Sequence, residues 1–183
     1  MSQEHHQTIT NQCSFSGIHP AMADLPYPPI QVQEKNPAYA NLLSIDYCGP
    51  VSELTAITQY INNENRLTYE HCPTAKTILG IAVAEMMHLQ KLGELIGLLG
   101  GSICFIARQP NGKQRMWTPE YLTIPETAQK MIAADIEAEK AAIQQYMMHI
   151  KLIHDQHVNA VLNRIIKDEE YHIMLLQALL AQC

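Results

Sequence analysis

Two Glu-x-x-His motifs hold the residues of this 183-residue chain best suited to chemistry: Glu85 with His88, and Glu169 with His172. Residues three apart on a helix share one face, so each motif would present a carboxylate and an imidazole side by side. The surrounding positions on both faces are apolar, including Ile78, Ile81, Leu92, Leu95, Leu162, Ile165, Leu176 and Leu179. A buried Glu and His are costly unless something compensates them. Two such pairs facing each other therefore predict a metal site.

An internal repeat supplies two further carboxylates. Residues 53–60 (ELTAITQY) and 139–146 (EKAAIQQY) share Glu, Ala-Ile and Gln-Tyr at the same offsets. The chain thus reads as two related helical hairpins, each with a Glu on its first helix and a Glu-x-x-His motif on its second. In each half the midpoint between the two glutamates falls in a predicted turn. Residues equidistant from the turn of an antiparallel hairpin lie level, so Glu53 and Glu139 are predicted to join the two motifs in one layer.

Neighbouring acidic residues leave some assignments open. Choosing Glu139 rather than Glu137 rests on the alignment of the repeat, and Asp135, one turn before Glu139, is a weaker alternative. Asp168, directly before the second motif, is expected to accept a hydrogen bond from a ligand imidazole on a neighbouring helix. His149 is expected to be structural or exposed.

One tyrosine follows the Glu of each repeat by two helical turns and lies on the same helix face as that Glu. Tyr60 and Tyr146 are predicted to hydrogen-bond the ligands or to relay a radical. The alternative is that both are core residues whose hydroxyl groups are satisfied by other partners.

The elements that would position these residues are long amphipathic helices. Capping and breaking residues predict a short helix over 37–47 and main helices over about 50–66, 73–99, 125–153 and 158–181. The connection over 102–123 is long enough for a crossover, and residues 103–107 are predicted to form one arm of a small hairpin. We therefore predict an all-α protein: a four-helix bundle over 36–183 with a long central crossover connection, preceded by an extended, Pro-rich N-terminal arm over 1–35.

Composition narrows the class of protein. The net charge of −6 and the isoelectric point near 5.8 disfavour nucleic acid or an anionic membrane as the main partner. No apolar run is long enough to span a membrane, and the N-terminus is unlike a signal peptide, so a cytoplasmic protein is expected. The five cysteines are scattered without a Cys-x-x-Cys pair, which predicts reduced thiols: Cys13, Cys48, Cys72, Cys104 and Cys183.

A Glu from each of two helices with Glu-x-x-His from the other two resembles the ferritin-like superfamily, specifically its rubrerythrin-like and manganese-catalase-like branches. Residues 51–99 and 126–180 carry the resemblance. It implies four carboxylate ligands and one imidazole per metal: Glu53, Glu85, Glu139, Glu169, His88 and His172. The chain lacks the four-cysteine module usual in rubrerythrins, which leaves the electron donor open. Manganese catalases are usually longer, and ferritins lack the second motif's histidine.

The expected cofactor is two iron or two manganese ions per chain, because carboxylate and imidazole suit both metals. The expected activity is two-electron redox chemistry on hydrogen peroxide or dioxygen. It would be a peroxidase with an external electron donor if iron is bound, or a catalase if manganese is bound. Ferroxidase activity coupled to iron storage is an alternative, and a non-catalytic helical bundle that has lost its metal is another. A homodimer or larger homo-oligomer is expected.

Overall fold

The computed structural model describes residues 16–69, 71–109 and 111–182. Its helices are α1 (Pro37–Cys48), α2 (Glu53–Leu67), α3 (Cys72–Leu98), α4 (Ala128–Leu152) and α5 (Gln156–Leu180). Two three-residue strands, β1 (Ile106–Arg108) and β2 (Gln114–Met116), pair antiparallel within the connection between α3 and α4. The prediction of an all-α fold is confirmed, and the long connection has a small hairpin, but its first strand is Ile106–Arg108 rather than the predicted 103–107.

Side-chain caps fix where the first helices begin. Asn36 accepts hydrogen bonds from the backbone N–H groups of residues 38 and 39, and Pro37 occupies the first helical position. Ser52 caps α2 by accepting from the N–H of Thr55. The predicted start of α2 at residue 50 is therefore three residues early.

Helices α4 and α5 also begin at residues other than the predicted ones. Helix α4 begins at Ala128 rather than residue 125, because Thr127 caps it. Helix α5 begins two residues earlier than predicted, because the side chain of Asp155 accepts from the N–H groups of His157 and Val158. The turn between them is correspondingly shorter.

The bundle order is α2, α3, α5, α4, since α3 packs on α5 and α2 packs on α4. Two cross-bundle hydrogen bonds set the direction of α2 relative to α4: the hydroxyl of Tyr60 donates to Glu139, and that of Tyr146 donates to Glu53. Because position 53 meets 146 and position 60 meets 139, α2 and α4 are antiparallel. Helix α3 is then parallel to α4, and the chain must travel the length of the bundle between them, as the predicted crossover does.

The crossover runs along α2. The indole Nε1 of Trp117 donates to Thr55 Oγ1 near the start of α2, at 3.0 Å. The side-chain amide of Gln59 bonds both the N–H and the carbonyl of Thr123, each at 2.8 Å. These contacts lay residues 117–123 against α2, on the side where it packs on α4.

Two apolar clusters occupy the bundle core. Along α3, one contains Ile78 and Ile81, and the other contains Leu92 and Leu95. Both Glu-x-x-His motifs fall between the clusters, so the apolar faces of the helices hold a polar layer between them.

The described part of the N-terminal arm, residues 16–35, has neither helix nor strand and packs on the bundle. Residues 1–15 lie outside the described residues, and the boundary between arm and bundle at residue 35 stays a prediction.

Cysteines follow the expectation only in part. Cys48 and Cys104 are free thiols, whereas Cys72 is disulfide-bonded, so the prediction of reduced thiols is wrong for Cys72. Spacing along the chain does not report which distant cysteines meet, because a disulfide depends on proximity in three dimensions. Cys13 and Cys183 lie outside the described residues.

Among the helices of the described residues, none combines the length and apolar character that a membrane crossing requires.

Candidate metal centre

The structure brings all six predicted ligand residues into one layer at the centre of the bundle. Each is at most 3% exposed: Glu53 on α2, Glu85 and His88 on α3, Glu139 on α4, and Glu169 and His172 on α5. The four helices therefore contribute one or two side chains each, as the repeat predicts.

These residues form two groups that share two carboxylates. In each group, one possible ligand atom per residue lies within 4.8 Å of the others. Glu85 and Glu169 belong to both groups. The first group is completed by Glu53 and His88, and the second by Glu139 and His172. Each group thus has one imidazole, one carboxylate of its own and two carboxylates placed to bridge.

The ring of His88 points one nitrogen into the layer and the other away from it. Its Nδ1 lies 2.8 Å from Glu85 Oε2, 3.5 Å from Glu169 Oε1 and 3.6 Å from Glu53 Oε2. Its Nε2 lies 3.0 Å from Asp168 Oδ2. A hydrogen bond from Nε2–H to this carboxylate leaves the Nδ1 lone pair of the neutral ring facing the layer. The structure thus has the hydrogen bond predicted for Asp168, while its role at a metal stays a prediction.

The ring of His172 has the same orientation in the other group. Its Nδ1 lies 2.9 Å from Glu169 Oε2, 3.1 Å from Glu85 Oε1 and 3.4 Å from Glu139 Oε1. Its Nε2 lies 2.8 Å from the carbonyl oxygen of Ala21. A carbonyl can only accept, so Nε2 carries the hydrogen and Nδ1 of the neutral ring is again a free lone pair.

Among the described residues, three buried atoms of the layer have no hydrogen-bond partner: Glu85 Oε1, Glu169 Oε2 and His172 Nδ1. Buried polar atoms are seldom left unsatisfied, and a cation among lone pairs would satisfy all three. The oxygen and imidazole donors, with no thiolate, suit iron or manganese. Two divalent cations would also balance the four carboxylate charges. The residues present therefore fit a dinuclear centre.

Without cations the layer holds protons. Burial raises the pKa of Glu53 well above its ordinary value, and the carboxylates of Glu85 and Glu169 raise it further. The same causes raise the pKa of Glu139 to about 8. Burial alone would lower the pKa of His88, but the carboxylates of Glu169 and Glu53 raise it well above the usual range.

Each predicted tyrosine reaches across the bundle rather than along its own helix. Tyr60 on α2 donates to Glu139 Oε1 on α4, and Tyr146 on α4 donates to Glu53 Oε1 on α2. Burial raises the pKa of both tyrosines well above the ordinary value, and the nearby carboxylates add to the effect, so both hydroxyls stay protonated. Whether they act beyond this hydrogen bonding stays a prediction.

The acidic alternatives to Glu139 lie elsewhere. Glu137 is exposed and pairs with Lys140 at 2.7 Å. Asp135 is buried, but Nδ2 of Asn63 donates to both its oxygens at 3.0 Å, and it belongs to neither ligand group. Burial raises the pKa of Asp135 to about 7.

A cavity of about 260 Å³ lies between α2 and α4 and reaches the layer. Small side chains make room for it, and the carboxylates of the layer form part of its wall: Ala56, Ala134, Ala138, Ala142, Glu53, Glu85, Glu139 and Glu169. Tyr121, from the crossover, also lines it, and its buried hydroxyl has no hydrogen-bond partner in residues 16–69, 71–109 and 111–182. Sequence reasoning missed Tyr121, because only the path of the crossover along α2 brings it here.

A second missed group on the cavity wall is Asp46, from α1. Its Oδ2 lies 2.7 Å from Nδ1 of His149, and its Oδ1 accepts from Gln145 at 2.8 Å. Burial raises the pKa of Asp46 despite these partners. His149 is thus buried as half of an acid–base pair beside the cavity, which its isolated position in the sequence did not indicate.

Asp168 has more partners than the sequence indicated. Besides His88, it accepts hydrogen bonds from the hydroxyl of Tyr27 at 2.6 Å, from the N–H of Ala23 at 2.7 Å and from Arg164 at 2.7 Å. Burial raises its pKa, but the hydrogen bonds from His88, Arg164 and Tyr27 outweigh burial and hold the pKa well below the ordinary value. Arg164, one turn before Asp168 on α5, could have been found from its spacing. The arm residues gave no such signal.

Comparisons with known proteins agree with this geometry. A family model described as a ferritin-like domain matches residues 51–183. A probable manganese catalase of Clostridium acetobutylicum is 24% identical over 160 residues, which cover 78% of this chain and 70% of that protein.

Solved structures give the same result. The manganese catalase KatB of Anabaena superposes with a TM-score of 0.77 at 25% identity, over 87% of this chain and 78% of that one. Bacterioferritin BfrA of Mycobacterium tuberculosis superposes with a TM-score of 0.68, also at 25% identity, over 82% of this chain and 88% of that one.

Proposed function

Because this chain belongs to the ferritin-like domain family, we propose that it is an oxidoreductase that decomposes hydrogen peroxide at a two-metal centre, in the manner of a manganese catalase. The observation that carries the proposal is the pair of ligand groups sharing Glu85 and Glu169, each with its own imidazole. The similarity to two proteins described as manganese catalases supports manganese over iron.

The overall reaction converts two molecules of hydrogen peroxide into two of water and one of dioxygen. When bound, the metal pair would accept two electrons from one peroxide and return them to the next. The protein must take up the two protons that the first peroxide loses and deliver them to the second. This chain's own residues serve binding, orientation and proton transfer.

Residues around the layer support the proposal. Glu53 and Glu139 are held from across the bundle by Tyr146 and Tyr60, which fixes one oxygen of each carboxylate. The cavity between α2 and α4 gives a small oxidant access to the layer. On its wall, the carboxylates of Asp46 and Asp135 lie outside the ligand set, and we assign proton transfer to Asp46, which pairs with the imidazole of His149. A buried acid–base group near the reacting atoms is what proton transfer requires.

The test is metal content per chain by elemental analysis, followed by oxygen evolution from hydrogen peroxide with and without a reductant. Two manganese ions and oxygen evolution without reductant are expected. Two iron ions with reductant-dependent loss of peroxide would instead indicate a peroxidase supplied by an external electron donor. Failure to bind either metal, even on reconstitution, would contradict the proposal and leave a non-catalytic bundle.

Iron oxidation is the second candidate, favoured by the similarity to bacterioferritin. It predicts rapid oxidation of added ferrous iron by dioxygen and assembly into a large hollow shell. Size-exclusion chromatography distinguishes such a shell from the homodimer or small homo-oligomer expected of the catalase. The cytoplasmic location expected from the sequence remains a prediction.

A further inference from the structure

The N-terminal arm lies in the groove between α3 and α5. The N–H of Ala21 donates to the carbonyl of Gly80 on α3 at 2.9 Å. A Cβ atom at Gly80 would lie 3.1 Å from the carbonyl oxygen of His19, which is tighter than ordinary van der Waals contact. The absence of a side chain at residue 80 therefore allows the arm to approach α3 this closely.

From this position the arm bonds the outward nitrogen of one candidate ligand directly. The carbonyl of Ala21 accepts from Nε2 of His172 at 2.8 Å. Two residues further on, the N–H of Ala23 donates to Asp168, as does the hydroxyl of Tyr27. Asp168 in turn bonds Nε2 of His88 at 3.0 Å. Both imidazoles are thus oriented through residues of the arm.

A cation network holds the arm in place. Arg164 donates to the carbonyl oxygens of Ala23 and Leu25, and it also donates to Asp168. The ring of Tyr27 has the Arg164 guanidinium 4.4 Å from its centre, and Nζ of Lys91 is also 4.4 Å from that centre. The arm, Arg164 and Asp168 therefore form one connected set of contacts.

We propose that residues 19–27, which we call the strap, are positioning residues for the metal centre, and that docking of the strap and binding of metal favour each other. The proposal rests on the proposed two-metal site. By accepting the Nε2 hydrogen of His172 and fixing Asp168 against His88, the strap presents both Nδ1 lone pairs to the carboxylate layer. These residues lie outside the stretch that the family model matches.

Thermodynamic linkage makes the effect of the strap on metal binding reciprocal. If the docked strap raises the affinity for metal by a given factor, bound metal raises the equilibrium constant for strap docking by the same factor. A cation on Nδ1 also makes Nε2–H a stronger donor, which strengthens the bond from His172 to Ala21. The strap should therefore be more protected in the metal-loaded protein than in the metal-free protein.

The first experiment measures the affinity of the full chain for Mn²⁺ by competition with a chelator. Tyr27→Phe removes one hydrogen bond to Asp168 and keeps the ring between its two cations. Groups that orient metal ligands typically contribute about 10-fold to 100-fold in affinity, so a loss of about 10-fold is expected. Tyr39→Phe is the matched control, because the Tyr39 hydroxyl bonds the backbone of His154, away from the layer. Its affinity should equal that of the wild type.

The second experiment measures amide hydrogen exchange in a peptide covering the strap, with and without saturating Mn²⁺. Exchange should slow by about 10-fold on metal binding if the linkage has the same size as the affinity effect. Gly80→Val, which places a side chain against the strap, should remove this protection. Gly97→Val is the control, because a Cβ there would meet only the side chain of Ile103.

The outcomes separate the two proposals. Unchanged Mn²⁺ affinity in Tyr27→Phe, together with strap exchange that does not respond to metal, overturns the strap while leaving the proposed function intact. Metal binding and strap protection without any peroxide decomposition overturns the proposed activity and supports the strap. A wild-type protein that takes up no metal contradicts both.

Discussion

At the scale of single residues, Glu85 and Glu169 are the predicted ligands that both groups share. Each lies in both four-residue groups, whereas Glu53 and Glu139 each lie in one. Loss of a shared carboxylate should therefore weaken both metal positions, and loss of an unshared one should chiefly weaken its own.

We expect Glu85→Gln to reduce metal content from two ions per chain by at least one, and Glu139→Gln to retain one. Elemental analysis after gel filtration measures this directly. Glu137→Gln is the control, since Glu137 is on the same helix as Glu139 but exposed and paired with Lys140. Two ions retained in Glu85→Gln would show that the ligand assignment is wrong.

Tyr146 is expected to matter for stability as well as for the site. Tyr146→Phe leaves Glu53 without its cross-bundle donor. A buried acceptor that loses its partner typically costs about 1–3 kcal/mol in the free energy of unfolding. Urea unfolding of the metal-free variant should show a loss of this size, and Tyr39→Phe should show a smaller one. An equal loss in the free energy of unfolding in the two variants would mean that the hydrogen bond from Tyr146 to Glu53 contributes no more to stability than the one that Tyr39 makes.

Removing the Tyr121 hydroxyl should affect the use of hydrogen peroxide and leave stability almost unchanged. Its hydroxyl has no hydrogen-bond partner within the part of the chain that the structure describes, so Tyr121→Phe should change the free energy of unfolding by less than about 0.5 kcal/mol. Because Tyr121 lines the cavity, we expect a several-fold rise in KM for hydrogen peroxide, measured by oxygen evolution. A variant with unchanged KM would show that the oxidant does not contact Tyr121.

At the scale of elements, α2 and α4 are joined by a buried polar link in addition to the tyrosines. Asn63 on α2 donates to both oxygens of Asp135 on α4, and burial raises the pKa of Asp135 to about 7. The folded state therefore binds this proton more tightly than the unfolded state, whose Asp titrates near pH 4. As the pH rises from about 4 to about 7, the unfolded state ionises first, and this contribution to stability is lost.

The prediction is that Asp135→Asn removes part of the pH dependence of unfolding. Wild type and variant should have similar stability near pH 4, and the variant should be the more stable by pH 8. The upper limit is ~1.4 kcal/mol for each pH unit between those pKa values. Denaturant unfolding of metal-free protein at several pH values gives the difference, with Glu137→Gln as the control. If the free energy of unfolding depends on pH in the same way in wild type and variant, Asp135 is not the source of that pH dependence.

The features that could be predicted from the sequence also differ between the helices and the irregular segments. The repeat and the helical period placed the six ligand residues and the bundle correctly in space, because both depend on local spacing along helices. The starts of α2, α4 and α5 differ from prediction by two or three residues, because Ser52, Thr127 and Asp155 cap these helices where neighbouring turn residues compete for the same role. Tyr121 and Tyr27 could not be found, since an irregular segment has no period and its contacts exist only once it docks.

At the scale of the whole molecule, a buried polar layer divides the apolar core into two parts. Apolar clusters lie above and below a set of four carboxylates and two imidazoles that are at most 3% exposed. Burying several like charges without cations is unfavourable, because the lost hydration is not repaid. In the metal-free protein, protons on the layer offset part of this cost.

Metal should therefore stabilise the entire bundle, since the layer connects all four long helices. At a free metal concentration of about 100 times Kd, binding contributes about 2.7 kcal/mol to the free energy of unfolding. For a domain of this size that corresponds to a rise in Tm of roughly 5–10 °C. Calorimetry of the full chain with and without Mn²⁺ at pH 7.5 should show this rise. It should shrink as the pH is lowered toward 5, because protons and metal compete for the same carboxylates and imidazoles. Glu85→Gln provides the control, since it removes a predicted ligand common to both groups and should make the rise in Tm clearly smaller than in the wild type. A Tm that is independent of Mn²⁺ at every pH would mean that the layer is filled by protons alone, and that its four carboxylates serve the fold rather than a metal.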